Sequence, residues 1–408
     1  MEAKLRNPNV IMKLSRLGSF HQSKLSFLRS FLKEFKDWEY KRDLFDLNKF
    51  GHGVAVYSFK KNDRVYSLIC FANKLEENER SDRVIATKWD AAFTLHDGVP
   101  LQKDIERLKN EVPKQEVGRL SYKELTLSRA NKSVRVFNHV VECLSEGIQP
   151  DVNLLSKVGY LYRTTAVYGS GKFGLADRFR IKNRKEIYGP FRLEMMLVYL
   201  VRQFTFDQVN HVARNKNPKK AVNLDLEICR NLGIGNSTGL GMAPFIVNHP
   251  TLLNNWIYAR EMALKKIREI KSVESDHGNL FKDCLKKSIK NITSWNTESD
   301  YQQKKIKSLL SDLTIFIDFI ERKFNFSEQY AFNKIYLWLE QNSGEECIEY
   351  IVSMMMEPFD EIVDPLIKEM SSEEEKYFNI PTNRTVSELK EIIAVSYTHL
   401  TLPTTPYV

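Results

Sequence analysis

Gly53-Val-Ala-Val-Tyr-Ser-Phe-Lys-Lys-Asn-Asp-Arg-Val-Tyr-Ser-Leu-Ile-Cys-Phe71 contains two runs rich in Val, Tyr, Ile and Phe, parted by the polar Lys60-Lys-Asn-Asp63. Short β-branched and aromatic runs bounded by turn residues are strand signals, and their adjacency predicts a β-hairpin. Arg83–Thr87 and Ala91–Leu95 add two candidate strands before the His96-Asp-Gly98 turn. Upstream, Ser23–Trp38 places Leu25, Phe27, Leu28, Phe31, Leu32 and Phe35 at helical spacing behind Ser23 as N-cap. A small antiparallel sheet packed on this helix is the expected N-terminal unit, residues 1–116.

Beyond it the pattern is helical. Leu101–Val112 predicts a charged, solvent-facing helix. Asn131–Ser145, Leu154–Val167, Phe191–Arg214, Asp225–Leu232 and Leu252–Lys271 are the helices expected of a central region, 117–272. Phe191–Arg214 is apolar almost all round between Leu193 and Val201, which predicts burial among other helices. Leu280–Ile292, Ser299–Phe324, Ser327–Glu340, Glu345–Met355 and Phe359–Met370 continue into a C-terminal helical region, 273–395. The expected class is α+β, predominantly α-helical, with the small sheet at the N-terminus.

Ser396–Val408 carries no charge, whereas 28% of the whole chain is charged. The stretch resembles a translated sequencing-adapter tail. It is expected to be non-native, with the native protein continuing past Val395.

Composition excludes several classes. An apolar content of 42% in 408 residues is ample for packed cores. The longest strongly apolar run near the middle, Met195–Val201, is seven residues. That is far short of a membrane span, so no membrane partner is expected. The five cysteines are scattered without CxxC spacing. Neither a disulfide framework nor a zinc cluster is indicated, and a reduced cytoplasmic setting is expected. Net charge is +9, of which +8 lies between Tyr160 and Asn231. A basic segment attracts anions, small or polymeric, although a solvated basic face accounts for the same residues.

That segment runs into Gly233-Ile-Gly-Asn-Ser-Thr-Gly-Leu-Gly-Met-Ala-Pro-Phe-Ile-Val-Asn-His-Pro250, which holds four of the chain's 17 glycines. Glycines interleaved with Asn236, Ser237 and Thr238 predict a tight polar loop offering backbone N–H groups to an anion. The loop is not a dinucleotide fingerprint, because the third glycine of GxGxxG would fall at Thr238. A second loop, Gly169-Ser-Gly-Lys172, has phosphate-cradle chemistry but no Walker A hydroxyl, since Phe173 follows the lysine. Close packing of two helices accounts for glycines equally well. As a ligand site the expected residues are Arg163, Lys172, Arg178, Gly233, Gly235, Asn236, Ser237, Thr238, Gly239 and Gly241.

Asp207 and His211 stand at i, i+4, so the aspartate is expected to orient the imidazole for proton transfer. His249, at the exit of the long loop, is the third candidate acid–base residue. No metal-ligand spacing is present, and no cofactor is identified. The leading expectation is an enzyme or binding protein for a phosphate- or carboxylate-bearing small molecule. The alternatives are an RNA- or DNA-associated protein using the basic Arg178–Lys185 with Phe179 and Tyr188, and a scaffold without a ligand.

Overall fold

The computed structural model describes residues 2–7, 11, 24–25, 35, 37–76, 88–112, 121–168, 181, 183–188, 192–230, 232–236, 250–293 and 300–370. Two compact units divide the chain at Ser30/Phe31 and again at Phe245/Ile246. The first residues of the chain therefore group with those after the second division. The helix expected over Ser23–Trp38 lies largely outside the described residues. So do the strand expected over Arg83–Thr87 and the tail Ser396–Val408.

The middle unit is built on one seven-stranded sheet: β1 (Glu39–Leu47), β2 (Gly53–Lys61), β3 (Arg64–Ala72), β4 (Ala91–Asp97), β5 (Glu124–Lys132), β6 (Tyr160–Tyr168) and β7 (Gly233–Asn236). The spatial order is the sequence order. The pairs from β1 to β6 are antiparallel, and β6 pairs with β7 in parallel. The expected hairpin is β2–β3, with Lys61 opposite Arg64 and Asn62 at a φ of 55° in the turn. Asparagine tolerates that left-handed conformation. At the start of β2, Gly53 has a φ of 148°, and a Cβ there would fall 2.0 Å from the Asp46 carbonyl oxygen. Only glycine fits that close approach.

The sheet is therefore larger than the small N-terminal one expected, and it continues past residue 117. The difference arises at β1, β5, β6 and β7, the last being the opening of the glycine-rich stretch expected as a loop. Leu154–Val167 is a short helix followed by a strand rather than one helix. Gly159, at a φ of 72°, ends the helix Val152–Val158 by donating its N–H to the Leu155 carbonyl at 2.7 Å. The Tyr, Thr and Val residues behind it then extend as β6. Asn131–Ser145 likewise begins in β5, and its helix starts at Phe137. β1, absent from the sequence-based expectation, is an exposed edge strand with a bulge between Arg42 and Leu44. Its charges and bulge blunt the open edge.

The helices of this unit are α1 (Gln102–Glu111), α2 (Phe137–Ser145), α3 (Val152–Val158), α4 (Lys185–Tyr188), α5 (Arg192–Lys216) and α6 (Leu226–Arg230). Tyr57, Phe59, Leu68, Cys70, Phe93 and Leu95 form the inner face of the sheet, buried with Leu197, Leu200, Val201 and Phe204 of α5. The Phe204 ring meets Phe93 edge-on at 5.7 Å. On the outer face Val56, Ile69, Phe71, Ala92 and Leu127 pack with Leu108 and Val112 at α1. α1 is the charged, mainly exposed helix expected, anchored to the sheet by the buried Leu108. Covering both faces explains why β2–β4 read as nearly continuous apolar runs rather than alternating ones.

The second unit contains α7 (Pro250–Glu269), α8 (Ser275–Thr293), α9 (Asp300–Arg322), α10 (Ala331–Asn342), α11 (Glu345–Met355) and α12 (Asp360–Met370). These follow the predicted periodicity, and their apolar faces share one core including Leu264, Phe281, Phe316, Phe332 and Met355. Within it lies a buried ion quartet. Arg6 bonds Glu261 through Nε at 2.8 Å and Glu349 through Nη1 at 2.7 Å, while Arg260 bonds Glu349 at 2.8 Å. Each guanidinium fork meets carboxylate, so the desolvated charges offset one another.

Arg6→Ala leaves two buried carboxylates with one cation, and should destabilise this unit by about 3–5 kcal/mol. Arg6→Lys should restore only part of the loss, because an ammonium cannot hold both carboxylates bidentately. Urea unfolding followed by tryptophan fluorescence measures both; an Arg6→Ala midpoint equal to wild type would contradict the assignment.

Candidate functional site

Strand direction decides which sequence candidates can meet. β6 and β7 run the same way, with Tyr160 opposite Gly233, Arg163 opposite Gly235 and Thr164 opposite Asn236. Arg163 also faces Asn131 of β5 in register. The structure thus brings Arg163, Gly233, Gly235 and Asn236 together, but as neighbouring strand residues. Gly233 and Gly235 are extended, and the Gly233 N–H donates to the Gly159 carbonyl at 2.8 Å. They are not loop glycines with free N–H groups. Lys172, Arg178, Ser237, Thr238, Gly239, Gly241 and His249 lie outside the described residues.

The two strands point the same way, but β7 stops at Asn236 beside Thr164, so only β6 runs on toward the far end of the sheet, at Tyr168. Antiparallel pairing brings Asp97 at the end of β4, Glu124 at the start of β5 and Arg64 at the start of β3 to that end as well. Tyr168, Leu127 and Thr94 lie side by side on β6, β5 and β4. Two strand spacings, about 10 Å, therefore separate β6 from β4 here. Segment 181–188, carrying α4, joins the same end through its side chains.

On the inner face, Arg184 forms an ion pair with Asp97, and the Tyr66 hydroxyl donates to the Glu186 carboxylate. Arg64 Nε stands 3.7 Å from the same carboxylate. Burial, reinforced by the bond to Glu186, pushes the Tyr66 phenol up from its ordinary pKa. This hydroxyl stays protonated and serves as a donor. The Nε and Nη1 atoms of Arg184 are buried with no hydrogen-bond partner among the described residues.

On the outer face, Glu124 and His96 are fully buried beneath α1. Arg107 Nη2 donates to Glu124 Oε1 at 2.9 Å, and His96 Nδ1 lies 3.5 Å from the same oxygen. Burial pushes the Glu124 carboxyl up, but contacts with His96, Ser121 and Arg107 outweigh it and hold the group at about 2. It is a carboxylate at all ordinary pH, and Arg107 ties α1 to the sheet through it.

Asp207 and His211 lie elsewhere. Asp207 Oδ2 accepts from the Tyr57 hydroxyl at 2.9 Å and from Arg42 Nη1 at 3.1 Å. His211 Nε2 donates to the Asn48 carbonyl at 2.9 Å, and its ring meets Phe45 edge-on. The expected bond from aspartate to imidazole is replaced by contacts of Asp207 to β1 and β2 and of His211 to β1 and the turn that follows it. Asn48 opens the β1–β2 turn, at the opposite end of the sheet from the carboxyl end of β6. Helical i, i+4 spacing set the two side chains on one face, but both bond the sheet in preference to each other.

The basic residues are also largely engaged. Besides Arg184, Lys216 pairs with Glu142 and Lys220 Nζ stands 3.5 Å from Glu146. Both acids belong to α2 or its C-cap. No group of three or more His, Cys, Asp or Glu side chains suited to a metal ion occurs among the described residues. Sequence reasoning missed Tyr66, His96, Asp97, Arg107, Glu124 and Glu186, which five separate elements supply. Only Arg184 carried a signal, as part of the basic run. Comparison with protein-family models, curated proteins and solved structures finds no match.

The depressed Glu124 pKa sets a pH window. Its stabilisation is fully present above the unfolded carboxyl value, about 4.3, and is lost as pH falls toward about 2. Glu124→Gln should flatten the fall in stability between those limits, read as urea midpoints across the acid range. A wild-type slope unchanged in the variant would remove Glu124 from that role.

Proposed function

We propose that the chain binds a small anionic molecule, phosphate- or carboxylate-bearing, beside the carboxyl end of β6, which runs on past its parallel neighbour β7. The parallel pairing of these two strands carries the reading. In sheets with parallel strands, ligands settle outside the carboxyl ends, where chain segments diverge. Here each strand is followed directly by glycine-rich sequence, Gly169–Gly174 after Tyr168 and Ser237–Gly241 after Asn236. Glycine-rich backbone offers unshielded N–H donors, and Lys172 and Arg178 add cationic charge close by in sequence. No chemical step is assigned, since Asp207 bonds Arg42 and Tyr57 at mid-strand and His211 bonds Asn48 at the opposite end of the sheet.

The nucleic-acid alternative draws on the same charge. Pairing of Arg184, Lys216 and Lys220 with acids lowers the net positive field that a phosphate backbone would meet.

A thermal-shift series of phosphorylated metabolites and carboxylates tests the proposal. A true ligand at one hundred times its Kd should contribute about 2.7 kcal/mol of stabilisation. Lys172→Gln and Arg178→Gln should each reduce the shift at fixed ligand concentration. A series in which no anion stabilises the protein would reject it, and steeply salt-dependent binding of arbitrary RNA would favour the alternative.

A further inference from the structure

We infer that Arg184 is the arginine that grips the oxyanion of the ligand, and that Asp97 occupies its place until the ligand arrives. The inference rests on the anion-binding reading above and assigns its specificity residue. A guanidinium carries five N–H donors in a planar fork, suited to two oxyanion partners at once. Arg184 engages Asp97 through Nη2, whereas Nε and Nη1 are buried without partners among the described residues. Buried donors left unmade are costly in a folded protein. An incoming carboxylate or phosphate supplies the missing acceptors.

The surroundings separate Arg184 from the other cations at this end. Arg64 and the Tyr66 hydroxyl both turn to Glu186, which leaves that acid well satisfied. Arg107 turns to Glu124 on the opposite face of the sheet. Asp97 is held by Arg184, and its backbone N–H is fixed by the Lys123 carbonyl at 2.7 Å. The Asp97 side chain retains 30% exposure and that of Arg184 18%, so the pair lies just below the surface. An anion that reaches it exchanges with the aspartate, whose carboxylate returns to water. The exchange conserves charge at the guanidinium and replaces a single contact by a fuller set.

This makes Asp97 an internal competitor, and its removal should tighten binding. Inorganic phosphate and acetate are titrated separately into the full chain by calorimetry, which also distinguishes the two oxyanion classes. Asp97→Asn keeps the shape of the side chain and removes its charge. It should bind the preferred anion about tenfold more tightly than wild type. Arg184→Gln should weaken binding by at least about tenfold, and Arg184→Lys should recover only a small part of it. Urea midpoints check that each variant is folded; if Arg184→Gln is not, Asp97→Asn alone decides. Wild-type affinity that is unchanged in Asp97→Asn, or equal in folded Arg184→Gln, would overturn the assignment and leave the anion-binding reading intact. Absence of phosphate and acetate binding in wild type and Asp97→Asn alike, with no stabiliser in the thermal-shift series, would overturn both.

Discussion

The parallel pairing of β6 with β7 is the constraint that organises the sheet unit. Antiparallel neighbours can be joined by a tight turn, as β2 and β3 are, but parallel neighbours need a crossover that returns the chain to its starting end. Here the crossover runs from Tyr168 to Gly233 and includes α5, which is apolar almost all round between Leu193 and Val201. Because it must pass across the sheet, α5 covers the inner face, and Phe204 packs on Phe93 while Gln208 receives the Tyr162 hydroxyl at 3.0 Å. Arg202 secures the return by donating through Nε to the Leu232 carbonyl at 2.6 Å, directly before β7. Burial of that guanidinium without a carboxylate beside it lowers its pKa, and carbonyl oxygens of the α6 exit supply the compensating dipoles.

The helical unit solves a different problem. Its core is apolar and periodic, yet two arginines and two glutamates are buried inside it. Such a group contributes little net stability compared with well-packed apolar residues, but removing one member is expensive. Its consequence is positional. Residues 2–7 are attached to α7 and α11 by Arg6, and the Ala3 N–H adds a bond to Glu269 at 3.0 Å. The start of the chain is thereby committed to elements more than two hundred residues later.

Much of the fold was legible locally. The β2–β3 hairpin and the helices from α7 to α12 follow from residue periodicity over windows of ten to twenty residues. The burial of α5 follows from its all-round apolar stretch, although it packs on the sheet as well as on α2 rather than among helices alone. The strands that escaped notice lacked that signal for identifiable reasons. β1 is charged and exposed, β6 follows a helix with only Gly159 between them, and β7 is four residues of glycine-rich sequence. Of the candidate site, Arg163 and the first residues of the long glycine-rich stretch do become neighbours. Asp207 and His211 share a helix face as their spacing requires, but the partners that claim them come from β1, β2 and the turn between.

By itself, then, the sequence determined element types wherever a repeating apolar pattern marked a buried face, along with the absence of an apolar run long enough for a membrane span. It also determined that a basic region precedes a glycine-rich one, since composition is read without reference to neighbours. Only the tertiary structure decided which residues share an end of the sheet. That depends on strand order and direction, which place Arg64, Asp97, Glu124 and the exit of β6 at one end and send His211 to the other. It also decided that Arg184 meets Asp97 while two of its nitrogen atoms meet nothing among the described residues. Charge pairing is a property of distance in space, and a separation of eighty-seven residues along the chain carries no trace of it.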